Sequence, residues 1–164
     1  MKLKLITGVL AMLPMCASAD WQTTISEDAF SSLKNGTMAA ITPQGNGIVF
    51  DCKGAGLSVA YLEADSTTSD KALSSVDYVP MMVKVDGKPL DIGEGVFSRR
   101  NDNYIVVEAV GGMSAYDALY KIRDAKKTIT LSVKIKGHVF TVSVPAANVK
   151  KATSQLIAGC KLEG

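Results

Sequence analysis

Apolar residues recur at every second position along most of this chain, which is the period of a strand with one buried face. The clearest case is Leu57-Ser58-Val59-Ala60-Tyr61-Leu62. Just before it stands Ile48-Val49-Phe50-Asp51-Cys52, and Lys53-Gly54-Ala55-Gly56 lies between as a tight turn, so the two segments read as a hairpin. Upstream, residues 21–25 read as an edge strand ending in a turn at Ser26-Glu27-Asp28. Residues 38–42 form a short strand stopped by Pro43, and Gln44-Gly45-Asn46-Gly47 is a strong turn signal. Downstream, residues 79–85 run into the turn Asp86-Gly87 and return briefly as Lys88-Pro89-Leu90. Residues 93–97 and 104–109 form a further pair, joined through Arg99-Arg100-Asn101-Asp102-Asn103. Residues 128–135 alternate as Ile129, Leu131, Val133 and Ile135, turn at Lys136-Gly137, and come back over residues 139–144 until Pro145.

Two segments change period. Residues 114–125 place Ala118, Leu119, Ile122 and Ala125 on one helical face, with Ser114 as N-cap and Asp117 completing a loose capping box. Residues 146–158 place Val149, Ala152, Leu156 and Ile157 together, predicting a terminal helix. About eight strands in hairpins, followed by short helices, predict an α+β fold: an antiparallel β-sheet or sandwich with two helices. Residues 65–75 are polar and read as a surface loop without regular structure.

The first residues form a separate unit. Lys2 and Lys4 precede an apolar run over residues 5–15, and Ala17-Ser18-Ala19 supplies small residues where a signal peptidase needs them. The run is too short for a bilayer span, which takes about 20 apolar residues. Residue 16 is a cysteine, but Met15 before it is too large for a lipoprotein signal. The expectation is a signal peptide over residues 1–19, cleavage between Ala19 and Asp20, and one exported domain over residues 20–164, periplasmic or secreted.

Removing Lys2 and Lys4 leaves 16 basic against 16 acidic side chains, so the mature domain has a formal charge of zero. Such balance gives no pull on phosphates or anionic lipid, which argues against nucleic acid and against membrane insertion. Removing the leader also leaves two cysteines, Cys52 and Cys160. An even pair in an oxidising compartment predicts a disulfide. That bond would tie the terminal helix to the sheet and close a loop of about 110 residues, worth roughly 4–5 kcal/mol in the chain-entropy model.

Catalytic patterns are sparse. His138 is the only histidine and follows a hairpin turn, and no Gly-x-Ser-x-Gly elbow is present. Glu63, Asp65, Glu94 and Glu108 offer paired carboxylates, but a chain with one tryptophan and few other aromatics lacks the stacking surface of a sugar cleft. The glycine pairs at 45/47, 54/56 and 93/95 adjoin strands, whereas a phosphate loop needs a helix to follow. No cofactor or metal set is implied. The candidate binding residues are in two polar loops: Asp65, Ser69 and Asp70 in one, Arg99, Arg100 and Asn101 in the other.

A tryptophan at the mature start (Trp21), an apolar strand ending in Cys52, the strand Met82-Val83-Lys84-Val85-Asp86-Gly87, the helix-strand unit from Ala118-Leu119 to Val133, and a terminal helix ending in Cys160 together resemble small exported bacterial proteins of the type VI secretion-associated VasI-like kind. The same features are similar to the second half of invasion-associated locus B proteins. The chain departs from both: no Arg adjoins Cys52, Pro145-Ala146-Ala147 opens the last helix, and the extra cysteines of the second group are missing. The resemblance implies a periplasmic accessory role, secretion- or virulence-associated, with no catalytic residue to carry over. The expected function is therefore a non-catalytic binding protein with a protein partner or cell-envelope component, its oligomeric state open. The alternatives are an inhibitor or immunity protein against a cell-wall enzyme or toxin, and a hydrolase.

Overall fold

The computed structural model describes residues 19–27, 34–54, 56–76, 78–110 and 113–162. The predicted leader lies outside them apart from Ala19, as does Asp28 of the predicted turn. Among the described residues there are nine strands: β1 (Gln22–Glu27), β2 (Lys34–Ile41), β3 (Gly47–Lys53), β4 (Gly56–Ala64), β5 (Val79–Val85), β6 (Lys88–Asn101), β7 (Tyr104–Val110), β8 (Thr128–Ile135) and β9 (His138–Pro145). Three helices accompany them: α1 (Asp70–Leu73), α2 (Met113–Arg123) and α3 (Val149–Cys160). The strands form one open sheet in the order β1-β2-β3-β4-β7-β6-β5-β8-β9, with every neighbouring pair antiparallel. The α+β fold with an antiparallel sheet is thus what the alternation predicted.

β6 is a single strand of 14 residues rather than two short ones. Its first part, through Gly95 opposite Val79, pairs with β5; from Val96 opposite Glu108 it pairs with β7. An extra residue at Ile92, beside Gly93 at φ +84°, breaks the β5–β6 register. A strand that changes partners at a bulge is how a sheet turns a corner. Beyond the corner the sheet folds over itself, so that β9 approaches β3 and β8 approaches β4. The enclosed space is the main core, filled from both halves by Met38, Ile48, Phe50, Val59, Val83, Val107, Ile129 and Leu131. Gly95 sits at the crease, where a Cβ would come within 2.9 Å of Val107 Cγ1 and 3.0 Å of the Glu108 carbonyl carbon.

The helices close the open side of this core. α2 buries Ala115, Ala118, Leu119 and Ile122, and α3 buries Val149, Ala152, Thr153 and Leu156. α3 lies on β1 and β2, where Thr23 Oγ1 donates to the Ala152 carbonyl at 2.8 Å. The disulfide Cys52–Cys160 is formed, with Cα atoms 6.4 Å apart, and links the end of α3 to β3. It passes over β2 at Gly36, the cross-strand partner of Cys52, where a Cβ would sit 2.7 Å from Cys160 Sγ. Trp21 is buried, packs against Phe50 with ring centroids 6.5 Å apart, and donates its indole N–H to the Pro145 carbonyl at 3.0 Å.

The structure corrects several local expectations. Segment 65–75 is not without regular structure: it contains α1, capped by Ser69, whose side chain accepts from the Ala72 N–H. Ser114 is the second residue of α2, not its N-cap, and Asp117 is exposed on the helix. α3 starts at Val149, three residues later than the periodicity predicts, because Asn148 sits at φ +62° and stops the helix from extending backwards. β2 begins at Lys34, four residues before the strand predicted over residues 38–42.

Candidate functional site

Successive residues of a strand point to opposite faces. The face of β1, β2, β3, β4, β7 and β6 that turns away from the helices carries Thr24, Thr37, Asp51, Ser58, Glu108, Ser98 and Arg100, placed together by the cross-strand register. Three depressions on this face, of about 410, 380 and 170 Å³, share Thr37 and form one trough. Part of its floor is a second apolar cluster of Val49, Ala60, Leu62 and Val106, with Ala39 and Tyr104 packed against it. That explains why β3 and β4 are buried on both faces.

Arg100 dominates the trough. Its guanidinium forms a two-pronged ion pair with Asp51, Nη1 to Oδ2 at 2.6 Å and Nη2 to Oδ1 at 3.0 Å. The two residues stand on β6 and β3, three strand spacings apart. In a flat sheet that separation is ~14 Å, beyond the reach of the two side chains. The face is therefore concave between them. The β6–β7 register slips between Arg99 and Asn101, which makes Arg100 the extra residue of a bulge. A bulge re-aims its side chain, and here it swings Arg100 over the trough. Thr37 Oγ1 donates to Asp51 Oδ1 at 2.5 Å, and Ser58 Oγ donates to Glu108 Oε1 at 2.5 Å. The hydrogen bonds to Asp51 hold the Arg100 proton above the usual arginine range, aided by the charges of Asp51 and Glu108 and opposed by partial burial.

The neighbouring Arg99 points the other way and organises the loop after β4. Its Nε donates to Asp70 Oδ1 at 3.0 Å, Nη1 to the Asp65 carbonyl at 3.1 Å, and Nη2 to the Thr68 carbonyl. Asp65 in turn accepts from the amides of Thr67 and Thr68 at 2.6 and 2.9 Å and from both hydroxyls. These bonds, the Thr68 hydroxyl first, hold the Asp65 carboxyl far below the usual carboxylate range. A depression of about 390 Å³ lies among Ser66, Thr67, Thr68, Ser69, Asp70, Arg99 and Asp102. Arg99 lines both this depression and the trough, so the two adjoin.

Arg99, Arg100 and Asn101, read in the sequence as part of a loop, are the last residues of β6, and they meet the polar segment after β4. Asp65, Ser69, Asp70 and Arg99 come together; Arg100 joins the trough; Asn101 only tightens its own turn, accepting from the Asn103 amide at 2.9 Å. Sequence reasoning missed Thr37, Asp51, Lys53 and Ser58, and weighed Glu108 only as one of several carboxylates for a sugar cleft. Asp51 and Glu108 carried a signal, each being a carboxylate within an otherwise apolar strand run. Among the described residues no three His, Cys, Asp or Glu side chains are grouped to hold a metal ion, and no helix is long and apolar enough to cross a membrane. His138 is exposed at the start of β9. Compared with protein-family models, curated proteins and solved structures, the chain matches none.

Proposed function

We propose that this chain is an exported, non-catalytic accessory protein that binds a protein partner or cell-envelope component through the concave face of its sheet. The observation that carries this reading is the trough bridged by Arg100 and Asp51. Five of its polar side chains bond to one another: Arg100 with Asp51, Thr37 with Asp51, Ser58 with Glu108. An arrangement of mutually bonded donors and acceptors over an apolar floor presents a fixed pattern to a partner. The disulfide suits an oxidising compartment, and an accessory role is also what the VasI-like resemblance implies.

The test has two parts. The chain recovered from the cell envelope should begin at Asp20; an intact Met1 would count against export. Wild type should then retain an envelope component that Arg100→Ala and Asp51→Ala both lose, with unfolding midpoints showing that each variant still folds. Equal capture by wild type and both variants would refute binding at the trough. If the captured component is a lytic enzyme whose activity falls on binding, the inhibitor reading replaces the accessory one.

A further inference from the structure

β9 ends the strand order, so among the described residues one of its sides has no neighbouring strand. Natural edge strands are shielded by charge, by proline or by brevity, because free N–H and C=O groups recruit other chains. This edge has little shielding. From His138 to Asn148 there is no Asp, Glu, Lys or Arg, and Val139 and Phe140 are 65% and 39% exposed. It is also a strand of eight residues, longer than β1 at the opposite edge.

The hairpin shows which backbone groups are free. Lys136 and Gly137 have φ of +49° and +86°, a two-residue turn of the primed kind. The flanking pair Ile135–His138 then exchanges both hydrogen bonds, and every second pair does the same: Val133–Phe140, Leu131–Val142 and Ile129–Val144. Val139, Thr141 and Ser143 therefore turn their N–H and C=O groups outward. Pro145 ends this edge, having no N–H and a carbonyl already bonded to Trp21.

We propose that β9 pairs antiparallel with β9 of a second copy of this chain, about a two-fold axis through Thr141. In that register Thr141 faces the partner's Thr141, Val139 faces the partner's Ser143, and Ser143 faces the partner's Val139. All three outward residues fall in hydrogen-bonded pairs, so six main-chain bonds form. A slip of two residues in either direction leaves two such pairs and four bonds. On the core side Phe140 comes opposite the partner's Val142, which covers its exposed ring. Lys136 comes opposite the partner's Ala146, so no like charges face each other directly. A second copy brings the same uncharged edge, so the pairing sets no lone charge against the exposed Val139 or Phe140, and in this register every free group is satisfied. The contact involves few residues and is smaller than a standard interface of about 1,200–2,000 Å². The dimer is accordingly a weak one that associates and dissociates with concentration.

Sedimentation velocity on the disulfide-intact chain tests this. Wild type should shift from monomer to dimer as concentration rises. Thr141 is exposed, so Thr141→Lys and Thr141→Glu leave the fold in place, which a melt at monomeric concentration checks. Each variant alone places two like charges opposite each other and should remain monomeric where wild type is dimeric. Mixed in equal amounts, the two should recover a species of dimer size, because opposite charges then face across the axis. A wild type that is monomeric throughout, variants that dimerise as wild type does, or a mixture that remains monomeric would each overturn the proposal. So would a monomeric wild type that takes an extended segment of another protein onto β9.

Discussion

Reduction of Cys52–Cys160 is the perturbation whose outcome the structure constrains most. The bond joins residues 108 apart in sequence. Opening a loop of that length returns about 4.8 kcal/mol of conformational freedom to the unfolded chain in the chain-entropy model, against about 2–5 kcal/mol measured for small secreted domains. The native state changes far less. α3 remains held by Val149, Ala152 and Leu156, each at most 2% exposed, and by the Thr23 bond to Ala152. Past the disulfide, Leu162 is buried and its carbonyl accepts from the Tyr120 hydroxyl at 3.0 Å. The terminal segment is thus anchored on both sides of Cys160. The expected result is a protein that stays folded with α3 docked but loses about 2–5 kcal/mol. With a urea slope of about 1–3 kcal/mol/M, the midpoint falls by roughly 0.7–5 M. Equilibrium urea unfolding with and without reductant measures the shift, and native-state hydrogen exchange reports on the helix. Unchanged midpoints would show that the bond does not act through the unfolded chain. Rapid exchange throughout α3, with the sheet still protected, would show that the bond and not the packing holds the helix in place.

Two further outcomes follow from single sites. Gly95→Ala should cost about 1–3 kcal/mol by overpacking, measured as a lower denaturant midpoint, because the added methyl meets the fixed backbone of Glu108 at the crease. Acid should destabilise the fold through Asp65 and Asp86: backbone amides of Lys126, Lys127 and Thr128 lower the Asp86 carboxyl, and the Thr67 and Thr68 bonds lower Asp65, so the stability they contribute is present above the unfolded carboxylate value of 3.8 and is lost as pH falls below it. Asp86→Asn and Asp65→Asn should each flatten the decline in unfolding midpoint below about pH 4, and a decline as steep as wild type in both would refute the assignment.

Alternation alone was enough to place most strands, because each half-buried strand leaves a two-residue period wherever one face meets the core and the other meets water. The turns Asp86-Gly87 and Lys136-Gly137 were equally plain, since their left-handed backbone selects glycine and marks its position. The same holds for the apolar faces of α2 and α3 and for the pairing of two cysteines, which needed no geometry. Where the period failed, a tertiary contact was the cause. Residues 48–50 are apolar on both faces, and 57–62, which the alternation gives one buried face, are buried on both, because the concave side of the sheet has its own small cluster, which no local pattern announces. β6 was split in the sequence reading at residues 91–92, while in the fold one strand runs on through a bulge at Ile92 and crosses from one half of the sheet to the other. The short helix α1 depends on Arg99, which holds the preceding loop from 29 residues away through Asp70. The trough is the extreme case: Arg100 and Asp51 are 49 residues apart, and a bulge together with the curl of the sheet brings them together. What the sequence determined by itself is periodic or local, namely strands, turns, helical faces and the cysteine pair. Strand order, the fold at β6 and the meeting of Arg100 with Asp51 are pairings between distant residues, and their free energy exists only once the core between them has closed.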